Sequence, residues 1–194
     1  MLIVALPQTP GQPPLPNVER EVALLDALFP ADARVLLDGP RATTQAVLAQ
    51  LPTHRWVHFS CHGDQNLTDP SRGGLRLHDG MLTILDISAR QHHGDFAFLS
   101  ACKTATGGVG LPDEAITLAA ALHYTGYRHV IATLWSVWDA SAADVAEDVY
   151  RAIVDDGNLH PDRSATALHD AVSRLRQRSP NNPSVWTPFM HIGP

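Results

Sequence analysis

The sequence predicts an α/β fold: a mostly parallel central sheet of about six strands, sandwiched between helices in three layers, with a small β-hairpin attached. Three observations predict it. Short apolar runs rich in branched residues alternate along the chain with segments whose apolar residues recur at helical spacing. The first strand segments are each separated by a full helix, which right-handed parallel crossovers require and hairpins do not. A chain of 194 residues, 44% of them apolar, can bury one full core, so a single domain over residues 1–194 is expected.

The elements follow in order. "LIVAL" at 2–6 is a continuous apolar run closed by Pro7, as expected of a buried strand. After the proline-rich "PQTPGQPPLP", Asn17 can cap a helix that carries Glu19 and Glu21 in its first turn, where acids favour the helix dipole. Val22, Leu25 and Phe29 share one face of that helix, and Pro30 stops it. "RVLL" at 34–37 reads as a strand, "TTQAVLAQL" at 43–51 as a helix and "WVHFS" at 56–60 as the third strand. "FAFLS" at 96–100 reads as the fourth strand. Between these two, "GGLRLHDGMLT" shows two alternating runs around His78, Asp79 and Gly80, a hairpin signal near the active edge of the sheet. A glycine-rich loop at 104–112 is followed by Asp113, a cap for the nearly all-apolar helix "EAITLAAALHYT", and then by a fifth strand, "HVIATLW", at 129–135. Helices are expected from about 140 to 156 and from about 164 to 177, and "SVWTPFMHI" as a closing edge strand, because Pro188 forbids a central one.

Composition excludes some functions. Fourteen basic residues against twenty acidic ones give a net charge of −6, and no Lys/Arg run could neutralise a row of phosphates, so nucleic acid is not expected as a partner. "MLIVALPQ" is too short for a signal-peptide core and no apolar run approaches the roughly 18 residues of a membrane span. A soluble, cytoplasmic protein is expected, and two cysteines, Cys61 and Cys102, suit a reducing compartment.

In a parallel sheet ligand chemistry gathers at the carboxyl ends of the strands. His62 and Gly63 leave the third strand there, and Cys102 leaves the fourth, with neighbouring strands about 4.8 Å apart. A thiol needs a nearby imidazole to form the thiolate or to take its proton during attack on a carbonyl. Cys102 is therefore the candidate nucleophile and His62 the general acid/base that later protonates the leaving amine. The backbone N–H groups of Gly63 and Cys102 are the candidate oxyanion donors.

"VHFSCHG", "FAFLSACKT", "LPDEAITLAAALHYTGYRHVIATLWSV" and the closing "WTPFMHIG" together resemble the CHAT domain, a caspase-like domain often associated with TPR repeats. The resemblance runs over essentially the whole chain. It implies a caspase-like fold, a dyad of His62 and Cys102, and metal-free and cofactor-free endopeptidase activity on a protein substrate, with a TPR-containing or regulatory region as a partner. It also implies that Ser100 and the segment from Trp135 to Asp139 build the pocket for the residue preceding the cut. Many family members carry an acid directly after the cysteine, where this chain has Lys103.

Plainer readings accompany each residue. Asp139 could pair with a basic substrate residue or cap the helix beginning near Ala140. Trp135 and Trp138 form either an apolar wall or core. Cys61 is most simply core, and His92 with His93 a wet loop. Zinc bound by His58, Cys61, His62 and Cys102 is disfavoured, because strand alternation sends Cys61 to the face opposite His58 and His62. The alternative to an enzyme is a non-catalytic caspase-like module that binds protein partners.

Overall fold

Alternation of side chains along the strands of the sheet decides the architecture. In the first strand, β1 (Leu2–Ala5), Leu2 and Val4 enter one apolar cluster and Ile3 and Ala5 the other, so both faces of the strand are covered. The computed structural model describes residues 1–64, 66, 68–100, 118–135 and 137–194. Cys102, Lys103, the glycine-rich segment at 104–112 and the proposed cap Asp113 lie outside the described residues.

The elements after β1 are α1 (Val18–Leu28), β2 (Val35–Asp38), α2 (Thr44–Gln50), β3 (Trp56–Ser60), β4 (His62–Asp64), β5 (Gly74–Arg76), β6 (Met81–Thr83) and α3 (Ile84–Ser88). There follow β7 (Phe96–Ser100), α4 (Leu118–Tyr124), β8 (His129–Thr133), α5 (Asp139–Ile153), β9 (Val154–Asp155), β10 (Asn158–Leu159), α6 (Ser164–Arg178), α7 (Pro183–Trp186) and β11 (Phe189–Ile192). The six-stranded sheet has the order β11-β8-β7-β3-β1-β2, parallel throughout except for β11, which runs antiparallel on the edge of β8. One face packs on α1, α5 and α6 through Val18, Leu25, Val145, Val149 and Leu168; the other packs on α2, α3 and α4 through Val47, Ile87 and Leu122.

Several expectations need correction. The hairpin around Asp79 is present as β5 and β6, but β4 joins it, making a second sheet of three antiparallel strands, β4-β5-β6. "HGD" carries no alternating pattern, and its strand character comes from backbone pairing alone. Only the second half of "SVWTPFMHI" is strand; Pro183 opens the short helix α7 instead, where its missing N–H costs nothing. Asn17 stands at the start of α1, but its side chain makes no cap there. Its amide and its backbone N–H both donate to the Asp139 carboxylate, at 2.7 and 2.8 Å, tying α1 to α5. Val18, Glu21 and Leu25 are buried on α1, so Glu21 lies on the inner stripe rather than acting as a solvated acid at the helix start. No helix among the described residues is long and apolar enough to cross a membrane.

His92 is buried, contrary to the wet loop expected for it. Its ring packs against Tyr127 and its Nε2 lies 3.3 Å from the Ile87 carbonyl, while among the described residues Nδ1 has no hydrogen-bond partner. Gly126 explains the tight fit: at φ +126° it turns the chain so that a Cβ would stand 1.9 Å from the His92 carbonyl oxygen.

Burial lowers the His92 pKa below its ordinary value of 6.5 and does the same to His191, which His129 and His123 also disfavour as a cation. An unfolded chain binds protons near that value that the folded chain refuses, so this part of the stability is complete above 6.5 and is lost as the pH falls below it. The melting temperature is expected to drop between about pH 7.5 and pH 5.5, and to drop less in His92→Gln. An equal drop in both proteins, measured by calorimetry, would refute a role for His92.

Candidate active site

The candidate site lies where two adjacent parallel strands end together. β3 pairs with β7 from Trp56 opposite Phe96 to Ser60 opposite Ser100. Both strands are buried on both faces, apart from the partly buried Trp56, as strands at the centre of a covered sheet are, and this restrains their ends. Beyond Ser60 the chain reaches His62 two residues later; beyond Ser100 the same step leads to Cys102, outside the described residues. The two segments thus leave the sheet from the same level.

His62 marks the point where the chain passes from the large sheet to the small one. It opens β4, opposite Arg76 on β5, and Gly63 follows opposite Leu75. The Arg76 guanidinium is held by Asp64, with Nη2 at 2.6 Å and Nε at 3.2 Å from the same carboxylate oxygen. His62 is partly exposed, and its Nε2 lies 2.8 Å from the carbonyl oxygen of Pro13. A carbonyl only accepts, so Nε2 carries a hydrogen and donates it. In the neutral ring Nδ1 is then the lone-pair nitrogen, available as a base. Pro13 belongs to the loop after β1, and strand order reverses between β1 and β3, so this contact spans the crevice at the switch point of the sheet. Nothing in the sequence marks the Pro13 carbonyl, because every residue carries the same acceptor.

The other candidate residues lie as follows. Ser100 ends β7 almost wholly buried, with its hydroxyl donating to Glu21 Oε1 at 2.8 Å. Trp135 follows β8 and is 38% exposed, its indole Nε1 lying 3.4 Å from the Ser184 carbonyl oxygen. Trp138 is 75% exposed, which excludes it from the core. Asp139 is the first residue of α5 rather than its cap, the cap position belonging to Trp138, and its carboxylate holds Asn17. Cys61 is buried in the apolar cluster with Val57 and Phe59, as the plain reading has it. His58 does not share a site with His62: it is fully buried on the α1–α5 side, with one ring nitrogen on Glu21 and the other on Tyr150.

A model of the CHAT domain matches residues 1–194. The chain belongs to the CHAT domain family. No curated protein matches it. Among solved structures this CHAT domain is similar to the Arg-specific cysteine proteinase gingipain R, with a TM-score of 0.65 and 11% identity over 99% of this chain and 45% of that one. It is similar to the complex of the pro- and mature domains of RgpB from Porphyromonas gingivalis, with a TM-score of 0.62 and 11% identity over 99% of this chain and 46% of that one. A secreted C11 cysteine protease from Bacteroides thetaiotaomicron, bound to an irreversible peptide inhibitor, gives a TM-score of 0.58 and 12% identity over 99% of this chain and 65% of that one. The CHAT domain spans about half the length of the gingipain chains. Identities this low speak to fold alone, and the fold is the caspase-like α/β fold of the clan CD cysteine proteases.

Proposed function

We propose that this CHAT domain is a cysteine endopeptidase that hydrolyses peptide bonds in protein substrates through Cys102 and His62. The observation that carries the reading is the pairing of β3 and β7 up to Ser60 and Ser100, with the His62 ring anchored through Nε2 on the Pro13 carbonyl. The proton of the Cys102 thiol passes to His62 Nδ1 as the sulfur attacks the peptide carbonyl, and the backbone N–H groups of Gly63 and Cys102 take the developing oxyanion. His62 then returns the proton to the leaving amine, and water hydrolyses the thioester. The Pro13 carbonyl supports this cycle by favouring the imidazolium that forms part-way through it, as an acceptor on the outer nitrogen does in other nucleophile–histidine sites.

Trp135 and Asp139, with the exposed ring of Trp138, stand at the carboxyl end of β8 and are read as one wall of the pocket for the residue preceding the cut. Ser100 belongs to that wall by position, although its hydroxyl is turned to Glu21. Incubation of the chain with a peptide library, analysed by mass spectrometry, tests activity and pocket together. Cleavage at a defined residue type, lost after treatment with iodoacetamide, is the expected result. An intact library would overturn the reading and favour a module that only binds partners.

A further inference from the structure

A buried carboxylate sits beneath the two strand ends. Glu21 reaches inward from α1, 1% exposed, and uses both of its oxygens. Oε2 accepts from His58 Nε2 at 2.6 Å, and Oε1 accepts from the Ser100 hydroxyl at 2.8 Å. His58 is on β3, four residues before His62; Ser100 closes β7, two residues before Cys102. One side chain therefore joins the two strands that lead to the two members of the dyad. The far nitrogen of His58 is 3.1 Å from the Tyr150 hydroxyl on α5. Burial, and after it the charge of Glu21, hold that phenol protonated well above its usual range, so it can donate to His58 Nδ1 while Nε2–H donates to Glu21.

A carboxylate this deep is costly unless every lone pair and partner is satisfied, and an apolar side chain could fill the same space at less risk. Its hydrogen bonds are directional where apolar packing is not, and they reach β3 at His58, two residues before its end, and β7 at its last residue, Ser100. His58 and Glu21 cannot touch a substrate, because both are enclosed between the sheet and the helices α1 and α5.

We infer that Glu21 is a positioning residue for the active site, which through His58 and Ser100 sets the spacing between the end of β3, carrying His62, and the end of β7, leading to Cys102. The inference rests on the peptidase reading for its catalytic consequence, and on geometry alone for the brace. It also assigns Ser100 a role distinct from the substrate contact implied for it. A substrate contact acts on KM, whereas a positioning residue acts on the step in which thiol, imidazole and carbonyl must be aligned.

Two measurements on the full chain decide it, made on Glu21→Gln, Ser100→Ala and Ser100→Thr. Glu21→Gln keeps the size of the side chain but turns one of its two acceptor oxygens into a donor, so it cannot accept from both His58 and Ser100, and Ser100→Ala removes a single hydroxyl; the two variants break the brace by independent routes. In peptide hydrolysis, Glu21→Gln and Ser100→Ala are expected to lower kcat by about tenfold to a hundredfold with KM within about twofold, and Ser100→Thr to recover most of the loss. In hydrogen exchange, the amides at 58–62 and at 98–100 are expected to exchange faster in the first two variants than in the parent. An unchanged kcat, or a change in KM alone, overturns the inference. If the parent hydrolyses nothing, the peptidase reading fails and exchange decides the brace: faster exchange confined to those strand ends supports it, and unchanged exchange sinks it.

Discussion

Cys102→Ala is expected to abolish peptide hydrolysis, lowering kcat by about 10⁶-fold, while the unfolding midpoint stays within about 3 °C of the parent. Deleting a nucleophile removes the covalent route altogether, and what survives is whatever oxyanion stabilisation and binding supply to water. His62→Ala is expected to cost less, about 10²- to 10⁴-fold, because a fraction of the thiol remains ionised without its base and attack can proceed from it. The order of the two losses is itself diagnostic. His62→Ala should also shift the pH profile toward the ordinary thiol range near 8.5, since Cys102 would then have to ionise unaided. Alkylation by iodoacetamide gives the same comparison without a substrate: Cys102 should label before the buried Cys61, and that preference should vanish in His62→Ala. Cleavage that persists in Cys102→Ala would end the peptidase reading. Equal, slow labelling of both thiols in the parent would show that the pair does not act as a unit.

The strands of the large sheet were legible because each is an apolar run too short for a buried helix. The neighbourhood of β3 and β7 was legible because parallel crossovers leave few topologies open. The family likeness carries the reading on to Cys102, which lies outside the described residues. The supports of the site were not legible. Glu21 reads as an ordinary acid in a first turn, yet Val18, Glu21 and Leu25 stand three and four residues apart, a spacing that places Glu21 on the inner stripe. The Pro13 carbonyl has no sequence signal at all. Asn17 and Asp139 each looked like a helix cap, and each turned to the other instead, a pairing between two helix starts that are remote in the chain and adjacent only in the fold.

Phe98→Ala is expected to be the most destabilising substitution of this set, at about 3–5 kcal/mol. Phe98 lies on β7, buried to 1%, and its ring is the centre of an aromatic cluster: Tyr150 stacks on it at 5.6 Å, His58 lies 5.4 Å away and Phe96 6.5 Å away. Truncation leaves a cavity bounded by the sheet on one side and α5 on the other, and neither can close over it without moving the strands of the site. Of a total of about 5–15 kcal/mol, this is a large share, equivalent to roughly 10 °C in melting temperature. Denaturant unfolding should show the midpoint falling with the m-value unchanged, and Phe98→Leu, which fills part of the space, should lose less. The two classes of variant also separate chemistry from scaffold. Cys102→Ala is expected to remove the reaction and keep the fold, whereas Phe98→Ala is expected to weaken the fold and free the His58 ring on its open side, so the activity of the molecules still folded should fall as well. A Phe98→Ala protein with the stability of the parent would mean that this cluster does not hold β7 in place, and the rigidity ascribed to the strand ends would then need another source.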